Sequence, residues 1–216
     1  ICPGQSMGRC MQGLAGKRAG SPMKLIDITR TVQEAPIYPG SAPFSLTPLT
    51  VIDKTEEFNI TMLQGDSHLG PHVDAPRHAY ADGTTIDQTD LALYYGACRV
   101  ATVHFGCLLT STDLEPLLTD CSRLLLKSNG TSHLTLEAAS ALAQHHLRLL
   151  GTDGLSAAPM DCEGPIHRLL LRHGIALLEN LQLEHVPDGD YILCAFPLKV
   201  AQGDGSPVRA VLLCEN

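Results

Sequence analysis

The chain contains no tryptophan, and its five tyrosines and four phenylalanines make up only 4% of its residues. A site resting mainly on aromatic stacking is therefore poorly supplied, since planar ligands are usually held against such rings. The eight cysteines include no Cys-x-x-Cys pair. Most lie in apolar runs such as Tyr191 to Phe196, where a free thiol packs as a small hydrophobe. In a chain of 216 residues a disulfide framework is the weaker account, so a reducing compartment and a cytoplasmic location are expected. Basic runs are also missing: 15 Lys and Arg against 23 Asp and Glu give a net charge of −8, which argues against nucleic acid as a partner. No apolar stretch approaches bilayer-spanning length and none reads as a secretory signal, so no membrane partner is expected either.

What is present is ordinary for a globular protein: 44% hydrophobic and 18% charged residues, in a length that supports one substantial core. Residues 1–22, rich in Gly, Ser, Lys and Arg and without period, are expected to be an extension outside the fold, with Met23 as the natural beginning. Lys24 to Thr29 reads as a strand. Phe44 to Ile52 and Phe58 to Leu63 read as a strand pair. Further strands are expected at Ala97 to His104, Arg123 to Lys127, Leu147 to Thr152, Ile175 to Leu178, Tyr191 to Leu198 and Arg209 to Leu213. Helices are expected from Leu136 to His146, capped by Thr135, and from Ile166 to Arg172, opened by Pro165 and ended by Gly174. Gly203-Asp204-Gly205 reads as a tight turn, and Asp153 as a turn or cap residue. Strands outnumber helices, which gives a mixed α/β or α+β domain over residues 23–216.

Potential metal ligands are densest between His68 and His78, where they are spaced His-x3-His-x-Asp-x3-His. Gly70-Pro71 rules out a helical zincin motif, because proline breaks the helical ladder. In an extended chain side chains two apart share a face, so His72 and Asp74 can address one ion, and His68 can return to it across the Gly-Pro turn. Two imidazoles and one carboxylate suit Zn²⁺, with Mn²⁺ or Fe²⁺ next, and leave room for water as in a hydrolytic site. The plainer alternative is a polar turn with surface histidines; four candidate ligands in a Pro-bounded loop argue against it. His78, set apart by Pro76, is placed to carry a proton, or else is a supporting or surface histidine. His167 and Glu179 form a second constellation. A carboxylate directly after a buried strand is costly unless paired or coordinated, although a capping or exposed Glu179 stays open.

His68 to His78 resembles the HxGTHxDxPxH signature of the metal-dependent cyclase family, which includes arylformamidases and isatin hydrolases. Family-like counterparts recur in order along the chain: Asp27-Ile28-Thr29, Tyr38-Pro39-Gly40, His167 to Leu170 followed by Ile175 to Glu179, and Phe196-Pro197-Leu198 through Gly203 to Pro207 and on to Val211. The resemblance implies a swivelling β/β/α fold, a mixed sheet with few helices, and a homo-oligomer, dimer or tetramer. It implies that His68, His72 and Asp74 bind a first metal, and that Asp74 bridges to a second held by His167 and Glu179. One or two Zn²⁺ per chain, or Mn²⁺, would then serve with His78 as acid/base, a metal-activated water attacking a formamide or cyclic amide carbonyl. Tyr38 and Phe44 are the candidate aromatic partners of the substrate. Leu69 and Pro71 stand where the family has threonines, which bears on how the ligands are oriented. The expected activity is an arylformamidase converting N-formylkynurenine to kynurenine and formate. A cyclic-amide or lactone hydrolase and a non-catalytic metal-binding module are the alternatives.

Overall fold

Successive side chains of a strand point to opposite faces of a sheet, and three leucine-rich segments of this chain exploit that alternation. In the computed structural model, which describes residues 23–215, Leu124 and Leu126 enter one apolar cluster and Leu125 the other. Leu150 and Leu149 divide in the same way, as do Leu177 and Leu178. Segments apolar on both faces belong at the centre of a sheet covered on both sides, and that is where they lie.

The chain begins with β1 (Met23–Asp27) and then forms an antiparallel ribbon of β2 (Ser45–Thr50) and β3 (Ile60–Gln64). Strand β4 (His72–Asp74) leads into a single helical turn, α1 (Pro76–Ala79). Next come β5 (Tyr95–Thr102), β6 (Leu108–Leu109), α2 (Ser111–Leu114) and β7 (Arg123–Lys127). They are followed by β8 (His133–Leu134), α3 (Leu136–Gln144), β9 (Leu149–Thr152), α4 (Glu163–Arg172) and β10 (Ala176–Glu179). The last strands are β11 (Gly189–Cys194), β12 (Gly205–Pro207) and β13 (Val211–Glu215).

Nine of these strands make one mixed sheet in the order β1-β13-β11-β5-β7-β9-β10-β4-β12. Its centre, β5-β7-β9-β10, is parallel, and both wings are antiparallel. The helices α3 and α4 pack on the cluster that contains Leu124, Leu126, Leu150 and Leu177. On the other face the curled sheet closes over Ile28, Val73, Val100, Leu125, Leu178 and Leu212. The expected mixed sheet with few helices is present.

Helix α3 starts as expected, with the Thr135 hydroxyl accepting from the Ala138 N–H at 3.0 Å. Gly174, at φ +75°, ends α4, a conformation that costs glycine little. Two boundaries differ from the sequence reading. Helix α4 begins at Glu163 rather than Ile166, because a proline in the first turn lacks only an N–H that has no helical acceptor there. Gly203 to Pro207 is more than a turn: its last three residues pair with β4 as β12. The expectation for residues 1–22 lies outside the described residues. No helix among the described residues is long and apolar enough to cross a membrane.

A candidate metal centre at the β4–β10 edge

Strand β4 presents His72 and Asp74 to one side and Val73, fully buried, to the other. In the antiparallel register with β10, His72 lies directly opposite Glu179. Side chains of such a cross-strand pair meet, and this pairing brings Glu179 beside a residue more than a hundred positions earlier. Glu179 is the last residue of β10 and only 4% exposed, so the exposed alternative falls away. Its Oε1 accepts from the Ala157 N–H at 2.8 Å. His167 comes from α4, which packs over this end of the sheet, and is equally buried. His68 returns across the turn at Gly70, whose φ of +58° is accessible to glycine without strain.

The donor atoms converge on Asp74. His68 Nδ1 lies 3.0 Å from Asp74 Oδ1, and His72 Nε2 lies 3.6 Å from the same oxygen. His167 Nε2 lies 3.5 Å from Asp74 Oδ2 and 3.4 Å from Glu179 Oε1. Two triads meet at Asp74, His68-His72-Asp74 and Asp74-His167-Glu179, and a third group, His68-His78-Asp204, converges beside them, each with its donor atoms within 4.8 Å of one another. The remaining ring nitrogens are tied outward. His72 Nδ1 donates to the Gly70 carbonyl at 2.8 Å and His167 Nδ1 to the Glu163 carbonyl at 3.1 Å. His68 Nε2 donates to Asp204 Oδ2 at 3.2 Å. Anchoring one nitrogen in this way turns the other toward an ion and sets its tautomer.

Burial acts to lower the pKa of His68, but the carboxylates of Asp74 and Asp204 outweigh it and raise the imidazole to about 9. His167 is likewise raised to about 9, with Glu179 and Asp74 overcoming the cost of burial. Burial works to raise Asp74, yet His68 and the neighbouring His72, His78 and His167 hold it well below the usual carboxylate range. Asp74 Oδ2 is buried and has no hydrogen-bond partner. A buried carboxylate oxygen left so is expensive unless something cationic completes it. Mixed nitrogen and oxygen donors around that atom fit a borderline divalent cation.

A cavity of about 160 Å³ opens over these ligands, lined also by Tyr38, Ser41, His78, Leu155 and Glu163. His78 stands on α1, its ring centroid 4.1 Å from that of His68 and 6.0 Å from that of His167. Its Nδ1 faces Asp204 Oδ2 at 3.8 Å. Helix α1 is fixed by the Tyr80 hydroxyl, which donates to the Arg168 carbonyl on α4 at 2.7 Å. Tyr38 lines the cavity as expected, but Phe44 does not. Phe44 lies near Gly65, on the side where the ribbon leaves the sheet. Leu69 is buried against the same glycine and does not line the cavity. Pro71 keeps a structural carbonyl, which accepts from the Val208 N–H at 2.9 Å.

Sequence reasoning missed Asp204 and Glu163. Asp204 accepts from the Ser67 hydroxyl at 2.7 Å as well as from His68. Burial would raise it, but these two bonds lower it to about 2. Read as a turn, Gly203-Asp204-Gly205 gives no hint of this, and only its family-like context was a signal. Asp153, by contrast, organises a turn as expected, accepting from the Ser128, Asn129 and Gly130 N–H groups. The remaining histidines, including His104, His133 and His173, enter none of the convergent groups found among the described residues.

The chain matches the model of the family described as "Putative cyclase" over residues 26–159. Kynurenine formamidase of Bacillus anthracis is 36% identical, over 88% of this chain and 97% of that protein. The kynurenine formamidase of Bacillus cereus is 37% identical over 81% and 90% respectively. A solved structure described as a potential metal-dependent hydrolase with cyclase activity matches with a TM-score of 0.75 at 26% identity, covering 90% of this chain and all 100% of that one. Isatin hydrolase A from Labrenzia aggregata shares the fold, with a TM-score of 0.75 at 20% identity over 90% of this chain and 94% of that one.

Proposed function

The chain belongs to the cyclase family, and from that membership we propose that it is a metal-dependent amide hydrolase, an arylformamidase that converts N-formylkynurenine to kynurenine and formate. One observation carries the reading: four buried or half-buried ligand residues converge from a turn, two strands and a helix on a carboxylate, Asp74, whose Oδ2 has no hydrogen-bond partner.

His68, His72 and Asp74 would hold one cation, and Asp74, His167 and Glu179 a second, with Zn²⁺ favoured by the donor set and Mn²⁺ next. Bound there, such an ion supplies Lewis acidity toward a carbonyl oxygen and acidifies a water. The chain's own residues do the rest. His78 projects into the cavity with Nδ1 toward Asp204, which leaves Nε2 to take the proton of the attacking water and return it to the departing aryl amine. Asp204 orients both His68 and His78. Tyr38 provides the aromatic wall.

The molecule is proposed to work as a homo-oligomer, most simply a dimer. The β2–β3 ribbon exposes Leu49, Val51, Phe58, Ile60 and Leu63, with Phe58 at 70% and Leu63 at 69%. Such a two-stranded ribbon is marginal by itself, and an apolar surface of this kind marks an interaction site. A reducing, cytoplasmic setting is supported by the cysteines: Cys98, Cys107, Cys121, Cys162, Cys194 and Cys214 are all free thiols.

Formate release decides the reaction. Metal-loaded protein is expected to release formate from N-formylkynurenine. If it instead opened isatin or a lactone and left the formamide intact, the arylformamidase reading would be replaced by the cyclic-amide one.

A further inference from the structure

One carboxylate in the cavity belongs to neither triad. Glu163 is the first residue of α4, four residues before His167, so the two side chains share a helix face about 6 Å apart along the axis. The Tyr38 hydroxyl donates to Glu163 Oε2 at 2.5 Å, and this bond pushes the Tyr38 pKa up. No described group donates to Glu163 Oε1, and no described lysine, arginine or histidine forms a salt bridge with Glu163. Neither Lys nor Arg lines the cavity. Glu163 thus keeps one oxygen aligned by a phenol and offers the other to the cavity, where no lysine or arginine of the chain meets it. It is also absent from every group of converging metal donors among the described residues, so a third metal ligand is not its role.

We propose that Glu163, aligned by Tyr38, is the subsite for an ammonium group of the substrate. Resting on the arylformamidase reading, this makes the preferred substrate an aryl formamide that carries a primary amine at the end remote from the formyl group. The cavity then discriminates by charge. A formamide with an amino-acid tail gains a charge-assisted hydrogen bond at Glu163, whereas isatin-like cyclic amides and simple lactones bring no cation and gain nothing there. A substrate carboxylate on the same tail meets no lysine or arginine of the cavity.

The test is binding rather than turnover, made by calorimetry on the metal-loaded full chain. The probes are kynurenine and its analogue lacking only the α-amino group. Wild type is expected to bind kynurenine at least about tenfold more tightly than the analogue, the scale of one charge-assisted bond. Glu163→Gln, isosteric and still able to accept from Tyr38, is expected to abolish that preference while leaving the analogue's affinity within about twofold. No preference in wild type, an undiminished preference in Glu163→Gln, or an equal loss for both probes would each overturn the proposal. Formate release is scored separately on wild type, so a chain that selects the amine without cleaving the formamide keeps the subsite and loses the reaction.

Discussion

At Asp74 the two carboxylate oxygens serve different neighbours: Oδ1 lies beside His68 and His72, and Oδ2 beside His167. Ions taken singly into a protein interior cost several kcal/mol each, so this group is tolerable only as a set. Without metal, the raised pKa values make His68 and His167 imidazolium ions near neutrality, and a cation must displace their protons to bind. Apparent metal affinity is therefore expected to climb from pH 6.5 to about 9 and then level off, read by metal titration in a competing chelator. The stability sign runs oppositely for metal-free protein. A histidine raised from 6.5 to about 9 stabilises the fold fully below 6.5, and that stabilisation is lost as pH rises through 9. Thermal midpoints with and without chelator are thus expected to diverge with rising pH; parallel curves would remove this account. His78 makes a separate prediction. His78→Ala should lower kcat by about 10²–10⁴ with metal content per chain unchanged by elemental analysis, because His78 converges only with His68 and Asp204 and enters neither triad around the buried Asp74.

Among the elements, three-residue strands do what longer ones usually do. β4 is held between β10 and β12, and this double pairing fixes the face on which His72 and Asp74 stand. A slip of one residue would send Val73 into the site and both ligands into the core. β12 has a second duty. A Cβ added at Gly205 would lie 2.9 Å from His68 Cε1 and 2.9 Å from the Val73 carbonyl oxygen. The paired carbonyl cannot retreat without breaking the ladder, so the His68 ring must move. Gly205→Ala is accordingly expected to lose about 1–3 kcal/mol of stability and to weaken metal binding by about 10–100-fold, although every ligand is retained. Differential scanning calorimetry and a metal titration would read the two effects, and unchanged affinity would show that His68 is not held by β12. Helix α4 was foreseen except for its first turn, and that omission concealed Glu163. Proline normally announces a helix start, and here it stands two residues inside one.

For the whole molecule, the sheet covers its two apolar clusters within one chain, while the ribbon leaves apolar side chains uncovered. Its outward residues are those that a buried strand would hide. Leu63→Glu is expected to shift the oligomer toward monomer by light scattering while the far-UV circular dichroism is preserved, since Leu63 is 69% exposed and packs into neither cluster. A variant that keeps the wild-type mass would show that the ribbon is not the contact.

What the sequence determined by itself was local. Gly70-Pro71 excluded a helix, the period of two put His72 and Asp74 on one face, and short apolar runs marked strands. Thr135 and Gly174 bounded helices through capping chemistry. Each of these follows from bonds and sterics within a few residues. Only the tertiary structure decided the other half of the site. Glu179 reaches His72 through an antiparallel register, His167 through the packing of α4 on the sheet, and Asp204 through the pairing of β12 with β4. Such partners are separated by more than ninety residues, and no local preference encodes which strand lies beside which. That choice is made by burying two apolar faces at once, and it is the burial that turns a loop of three histidines and an aspartate into a candidate metal centre.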